Sequence, residues 1–293
     1  MNEYVIMSDS CCDLPYELAQ RISLITVPLG ATIDGDTYEA NLDGKALTLE
    51  RFYELLAVSS SASTSAVSSG LFAEYMEREL SAGKDILYLA FSSGLSATYD
   101  NAGIAAGELR AKYPERKIYI VDTMCASMGE GLLVYLAAQE KEKGASIEEL
   151  RDFAEGIKHN ICHWFFVDEL GYLKRGGRIS KSTAFVGSLL NIKPILLVDE
   201  SGHLAPHSKA RGVKNVIKSM VEHMGETIRD AAGQTVMISH ADAFDRAKDL
   251  AETIKQKFPN IKDIIINHIG PTIGCHTGPG CIALFFKGVM PTG

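Results

Sequence analysis

The sequence has few cysteines, a deficit of positive charge and no motif that pairs cysteines closely. Its six cysteines form no Cys-x-x-Cys pair and are scattered over 293 residues, which is typical of reduced thiols in a cytoplasmic protein. Lysine and arginine number 29 against 37 aspartates and glutamates. The resulting net charge of −8 argues against electrostatic binding of nucleic acid or of anionic membranes.

The sequence also lacks an apolar run suited to a membrane. Its longest uncharged stretch, residues 264–286, contains four glycines, two prolines and two histidines. Such a stretch could not satisfy its backbone hydrogen bonds in lipid, so we expect no stable membrane insertion. The opening residues, MNEYVIMSDS, lack the basic region and apolar run of a signal peptide. We therefore expect a cytoplasmic protein, with 46% hydrophobic residues available for its cores.

The first half of the chain repeats one pattern, in which an apolar strand runs into a polar turn and then a helix. The strands are predicted near residues 4–7, 86–91 and 117–121. Repeated units of this kind predict a parallel, Rossmann-like sheet whose C-terminal edge collects the polar turns. The second half predicts a mixed sheet with a hairpin around residues 193–205. We therefore expect an α/β protein with two domains, residues 1–155 and 156–293.

Several local features carry predictions of their own. Asp34-Gly35 predicts a hairpin turn. Residues 59–69 are dense in hydroxyls and predict a linker, with Ser68 or Ser69 capping the helix that follows. Residues 182–190 predict a small, largely apolar helix, and the glycine-rich residues 268–280 predict a loop between two strands.

The turn after the second of these strands is a candidate anion site. Ser92, Ser93, Gly94 and Ser96 lie between the strand and a predicted helix. The backbone N–H groups of such a turn point at one place, and hydroxyls beside them suit a carboxylate or a phosphate. The alternative is a helix cap that holds no ligand.

The sequence gives weaker support for a serine hydrolase, a P-loop or a metal site. Residues 94–98 approach the Gly-x-Ser-x-Gly elbow of serine hydrolases, but Thr98 stands in place of the second glycine. Residues 180–182, Ser-Lys-Ser, lack the glycine that a P-loop needs before its lysine. His159 and His163 are four residues apart, yet no carboxylate or cysteine completes a tetrahedral metal site.

The strongest candidate for a site is the glycine- and proline-rich stretch around His276. So many glycines and prolines specify a backbone that approaches something closely, and a histidine among them can donate a hydrogen bond to an anion. A core histidine bonded to a carbonyl is the alternative. Arg178, after Gly176-Gly177, could bind a phosphate or could simply be a surface arginine beyond a helix end.

Taken together, these motifs resemble the DegV family of bacterial fatty-acid-binding proteins. The resemblance covers essentially the whole chain. The matching segments are SDSCCDLP (8–15), Thr64-Ser65 with Ser68, FSSGLSATY (91–99), ELGYLKRGGRI (169–179), Lys193-Pro194-Ile195 and GPTIGCHTGPG (270–280).

The resemblance implies one long-chain fatty acid held between two α/β domains, with its tail in an apolar tunnel and no cofactor or metal. The implied carboxylate partners are Thr64, His276 and Ser93 or its neighbour Ser92, beside Gly94. Members of the family are expected to be non-catalytic carriers. The alternative is a serine-dependent acyl hydrolase or acyltransferase that uses Ser93 or Ser96.

Some family members present the fatty acid to a separate fatty acid kinase, which makes the acyl phosphate. A kinase would therefore be a partner of this chain. We expect Arg178 or Arg211 to lie on the surface that such a kinase contacts, because both are basic residues in or beside loops of an otherwise acidic chain.

Overall fold

The structure is a computed structural model that describes residues 3–179 and 191–289. The predicted helix at 182–190 and the Ser-Lys-Ser motif at 180–182 lie outside the described residues. The first half contains β1 (Tyr4–Asp9), α1 (Tyr16–Arg21), β2 (Ile25–Val27), β3 (Leu29–Ile33), β4 (Asp36–Ala40), α2 (Leu49–Val58), β5 (Ala62–Ser65), α3 (Ser69–Ser81), β6 (Asp85–Ala90), α4 (Thr98–Lys112), β7 (Ile118–Asp122), α5 (Met128–Glu142) and α6 (Ile147–Ile157). The second half contains β8 (Ile161–Phe166), α7 (Leu170–Arg175), β9 (Ile192–Val198), β10 (Leu204–Arg211), α8 (Val213–Thr227), β11 (Thr235–His240), α9 (Phe244–Lys257), β12 (Asp263–His268), α10 (Pro271–Thr277) and β13 (Ile282–Lys287).

Two sheets organise these elements. The first has four strands in the order β2-β1-β6-β7, and all of its pairings are parallel. Every residue of β1 and β6 is buried, as expected of central strands covered on both faces. The second sheet has six strands in the order β10-β9-β8-β13-β11-β12. There β11 and β12 are parallel and the other pairings are antiparallel, so the predicted α/β class with one parallel and one mixed sheet is confirmed.

Three strands that lie between β2 and β6 along the chain form a smaller antiparallel sheet, in the order β4-β3-β5. Asp34 and Gly35 both have positive φ (47° and 98°) and form the predicted hairpin turn between β3 and β4. The prediction of a linker over residues 59–69 is wrong, because β5 pairs with β3 and Thr64 lies opposite Ala31. Ser68 caps α3 by accepting a hydrogen bond from the Leu71 N–H, as predicted.

Helix α5 connects the two sheets physically. It packs against β1 and β6 of the first sheet and against β8, β11 and β13 of the second. One apolar core therefore contains side chains from both, including Leu87 of β6 and Phe285 of β13. A boundary between two domains at residue 155 remains a prediction.

Asp13 holds the two halves together through a buried carboxylate. It follows a short 3-10 turn (Ser10–Cys12) and has a left-handed φ of 48°. Its carboxylate accepts hydrogen bonds from the Ser127 hydroxyl at 2.6 Å and from the Gly270 N–H at 2.9 Å. Its backbone carbonyl accepts another from the Asn267 side chain at 2.8 Å. The starts of α5 and α10 are thereby tied to the end of β1.

Burial raises the pKa of Asp13 to about 7, with a smaller contribution from the nearby Asp9. The folded protein therefore keeps a proton on Asp13 that the unfolded chain releases near pH 4. Between about pH 4 and pH 7 the folded state binds more protons, so the free energy of unfolding falls as the pH rises through this window.

We expect Asp13→Asn to remove this part of the pH dependence. Asparagine tolerates a left-handed φ, its carbonyl oxygen can still accept from Gly270, and its amide can donate to Ser127. Denaturant unfolding at pH 4.5 and pH 7.5 should show a loss of stability in the wild type that exceeds the loss in the variant by roughly 2–4 kcal/mol. The same change with pH in both proteins would contradict the assignment, because Asp9 and Glu130 titrate in both.

Candidate functional site

A largely apolar cavity of about 210 Å³ lies between the second sheet, the small β4-β3-β5 sheet and the turns that follow β6 and β7. Both halves of the chain contribute to its wall, from Leu29 of β3 to Phe285 of β13. The other apolar side chains on the wall are Ala66, Phe91, Leu95, Ala97, Ala126, Phe165, Leu173, Val198, Leu204, Ile269, Ile273, Cys281 and Ala283. A cavity of this kind suits a ligand that is mostly hydrocarbon.

Polar residues meet at one part of this wall, and we call Thr64, Ser96, Arg178 and His276 the polar cluster. Thr64 lies on β5 and His276 in the last turn of α10, yet Thr64 Oγ1 and His276 Nε2 are 2.8 Å apart. The fold thus brings together two predicted site residues that are separated by 212 positions.

His276 is held as a neutral imidazole. Burial and, to a smaller extent, the neighbouring Arg178 guanidinium lower its pKa to about 4. Its Nδ1 atom is buried and has no hydrogen-bond partner among the described residues. Gly176 passes so closely that a Cβ at this position would lie 2.1 Å from Nδ1. A residue without a side chain is therefore required beside the ring.

Arg178 lies in the wall of the cavity and is half-buried. Its Nε donates to the Leu95 carbonyl at 3.1 Å, and its Nη1 donates to the Gly176 carbonyl at 2.6 Å. These bonds fix the guanidinium between the turn before α4 and the turn after α7. The cluster therefore contains one fixed positive charge beside neutral groups.

The turn between β6 and α4 reaches the cavity through Ser96 and Ala97. Ser96 Oγ lies 2.8 Å from Thr98 Oγ1 and accepts a bond from the Thr98 N–H, at the first residue of α4. Of the predicted site residues, Ser93 is exposed, and its N–H donates to Asp122.

Ser92 and Gly94 instead join this turn to the β9–β10 hairpin. The buried Ser92 hydroxyl donates to the Gly202 carbonyl at 2.9 Å. A Cβ on Gly94 would lie 2.8 Å from the Ser201 carbonyl oxygen. The structure therefore gives Ser92 and Gly94 a contact between the two halves of the chain, and it does not place them on the cavity wall.

Another part of the wall holds polar groups that already have partners. His163 accepts from the Ala126 N–H at 3.3 Å, and its Nδ1 is 2.9 Å from the Ile161 carbonyl. Burial lowers the pKa of His163 to about 4. Ser127 donates to Asp13. These groups present little unmet hydrogen-bonding capacity to a ligand.

The remaining predicted site residue, Arg211, is exposed at the end of β10 and does not belong to the cavity wall. Ser96, which the sequence analysis placed in the candidate anion turn, lines the cavity, and so does Thr272, which the sequence analysis did not single out.

Within the described part of the chain, no helix combines the length and apolar character needed to cross a bilayer.

Known proteins are similar to this chain over nearly its whole length. The family model described as "uncharacterised protein, DegV family" matches residues 3–288. A DegV domain-containing protein of Clostridium perfringens is 45% identical over 98% of both chains. A Thermotoga maritima structure reported to reveal fatty acid binding has a TM-score of 0.86 at 27% identity and covers 99% of this chain and 100% of its own. A Thermus thermophilus structure, described as fatty acid binding of a DegV family protein, has a TM-score of 0.88 at 27% identity, covering 98% and 100%. This chain therefore belongs to the DegV family.

Proposed function

We propose that this protein binds a long-chain fatty acid, with the acyl chain in the cavity and the carboxylate at the polar cluster. The observation that carries the proposal is the cavity itself, which is apolar over most of its wall and gathers Thr64, Ser96, Arg178 and His276 at one place. The solved relatives from Thermotoga maritima and Thermus thermophilus, described as binding fatty acids, support it.

The energetics favour such a ligand. Burying one methylene group contributes about 0.8 kcal/mol of favourable free energy. A chain of fourteen methylenes therefore gains on the order of 11 kcal/mol before the costs of association are subtracted. A buried carboxylate is tolerated only when hydrogen bonds or opposite charge compensate for lost hydration. Two hydroxyls, an imidazole and a guanidinium meet that requirement.

Within the cluster we assign direct contact with the carboxylate to Thr64, Ser96 and Arg178, and we assign His276 the role of orienting Thr64. If His276 Nε2–H donates to Thr64 Oγ1, the Thr64 hydroxyl hydrogen is directed to the ligand. Ser96 takes the role predicted for Ser92 or Ser93, because the Ser92 hydroxyl already donates to Gly202 and Ser93 is exposed. Arg178 supplies the compensating charge.

Mass spectrometry after denaturing extraction should find a long-chain fatty acid in the purified protein. In titrations with palmitate, Ser96→Ala should weaken binding about ten-fold or more, since hydrogen bonds to a charged group contribute about 1.5–3 kcal/mol. His276→Ala should also weaken binding, because Thr64 loses the ring that orients its hydroxyl. Ser93→Ala is the matched control and should bind as the wild type does. Weakened binding in Ser93→Ala, with Ser96→Ala unaffected, would contradict the assignment of Ser96.

We further propose that the bound fatty acid is presented to a separate fatty acid kinase in the cytoplasm. The support is the family resemblance, the exposed Arg211, and the position of Arg178 at the polar cluster. All six cysteines are free and buried, which fits a reducing compartment.

In a coupled assay with such a kinase, acyl phosphate trapped as the hydroxamate should form more slowly with Arg211→Ala while palmitate affinity is unchanged. Arg178→Ala should lower both the rate and the affinity. The rate difference for Arg211→Ala should shrink at high salt, because a charge at the rim of an interface acts mainly on the rate of association. Arg229→Ala, at an exposed site after α8, is the control. Wild-type rates and wild-type salt dependence in both Arg211→Ala and Arg178→Ala would refute the proposal that these residues lie on the surface that the kinase contacts.

We propose finally that the chain performs no covalent chemistry by itself. A serine nucleophile needs an aligned base, and the nearest hydrogen-bond partner of the His276 ring is Thr64. Ser96 lies against Thr98 instead.

The pure protein should therefore give no burst of nitrophenol from a long-chain nitrophenyl ester and should not hydrolyse ATP. A stoichiometric burst that disappears in Ser96→Ala or Ser93→Ala would establish the acyl hydrolase or acyltransferase alternative.

A further inference from the structure

Part of the cavity wall follows two neighbouring strands of the second sheet. Along β13 and the residue before it, the wall contains Cys281, Ala283 and Phe285. Along β8 it contains Phe165 and His163. Residues two apart in a strand point to the same face of a sheet, so both sets belong to one face. The register places Ala283 opposite Phe165. It places Phe285 opposite His163, one row further along.

These rows of side chains lead away from the polar cluster. At one end Cys281 lies beside Thr277, the residue after His276 in helix α10. At the same end, β8 leads into α7 and the turn that carries Arg178. The row of Phe285 lies four residues beyond Cys281, which is about 13 Å at the usual rise of a strand. The polar cluster and this row are therefore at opposite ends of the wall.

The wall ends at the row of His163 and Phe285. The next position on the same face of β8 is Ile161, which is buried but does not belong to the cavity wall. It lies opposite Lys287, which is exposed. The rings of His163 and Phe285 meet edge to face, with centroids 5.2 Å apart and ring planes at 88°. Two rings in contact therefore close this end of the cavity.

The His163 ring is fixed in position by both of its nitrogen atoms. Its Nδ1 donates to the Ile161 carbonyl at 2.9 Å, and its Nε2 accepts from the Ala126 N–H at 3.3 Å. Gly129 of α5 passes so closely that a Cβ there would lie 2.1 Å from Nε2, which leaves the ring little room to move away. Because both nitrogens are bonded within the protein, the ring offers its carbon atoms to a ligand, and these suit a methyl group.

We propose that His163 and Phe285 form the stop against which the methyl end of the acyl chain rests, so that this pair sets the longest fatty acid that the cavity accepts. The inference rests on the proposed fatty-acid function and narrows its substrate class by chain length. Each further methylene that enters the cavity adds favourable burial. A chain that is too long has to displace side chains in a close-packed wall, which costs free energy. Affinity should therefore rise with chain length and then fall at one length.

The test measures the affinity of delipidated full-length protein for saturated fatty acids of 12 to 22 carbons, in steps of two. The wild type should prefer one length, with affinity about ten-fold lower for the next longer acids. Phe285→Ala should move the preferred length up by roughly two to four carbons, because neighbouring side chains fill the space of a removed ring only in part.

Two neighbouring positions on β13 supply an opposite change and a control. Ala283→Val enlarges a side chain one row nearer the polar cluster and should move the preferred length down, even if Phe285→Ala does not fold. Leu284 belongs to the core on the other face of the sheet, so Leu284→Ala should leave the preferred length unchanged.

The outcomes separate this inference from the proposed function. If the preferred length is the same in the wild type and in the folded variants at 283 and 285, or moves equally in Leu284→Ala, the stop is not at this row, although fatty acids are bound. Wild-type affinity that still rises at 22 carbons would also overturn the inference. If no fatty acid binds the wild type, the proposed function and this inference are both refuted.

Discussion

The structure depends on one buried carboxylate between two sheets. A carboxylate removed from water has to be protonated or surrounded by donors, and Asp13 meets both conditions through its raised pKa and its bonds to Ser127 and Gly270. These bonds fix the starts of α5 and α10 relative to β1. Helix α10 has seven residues, so fixing its first turn also fixes His276 in its last. The bonds of Asp13 therefore help to place His276 beside Thr64.

Much of the fold could be predicted because its signals are local. Buried runs such as residues 86–91 and the Asp34-Gly35 turn carry their conformation in their own composition. The secondary structure of residues 59–69 could not be predicted from their own composition. Their serines have little strand preference, and β5 forms because the distant strand β3 offers an edge to which it pairs. The glycine-rich stretch 270–280 likewise contains the helix α10, with Pro271 at its first turn, where the missing N–H is tolerated.

The site shows the same division between local and distant information. The family resemblance implies Thr64 and the glycine- and proline-rich stretch predicts His276, and the fold places the two 2.8 Å apart. The sequence could not show which of Ser92, Ser93 and Ser96 lines the cavity, because this depends on which hydroxyl forms a hydrogen bond with the β9–β10 hairpin. The Ser92 hydroxyl donates to the Gly202 carbonyl. Ser93 is exposed, and Ser96 lines the cavity. A contact between segments far apart in sequence therefore accompanies the choice of the serine that lines the cavity.

The order of strands in the second sheet has a consequence for synthesis of the protein. Strand β13 lies between β8 and β11, although it follows both in the chain, and Lys287 pairs with Ile161. A ribosome that has translated as far as residue 280 has therefore produced both flanks of the sheet without the strand that joins them. Until then the edges of β8 and β11 that pair with β13 lack their partner, and unpaired strand edges favour aggregation. The cavity, whose wall includes Ala283 and Phe285, is completed only once β13 has left the exit tunnel.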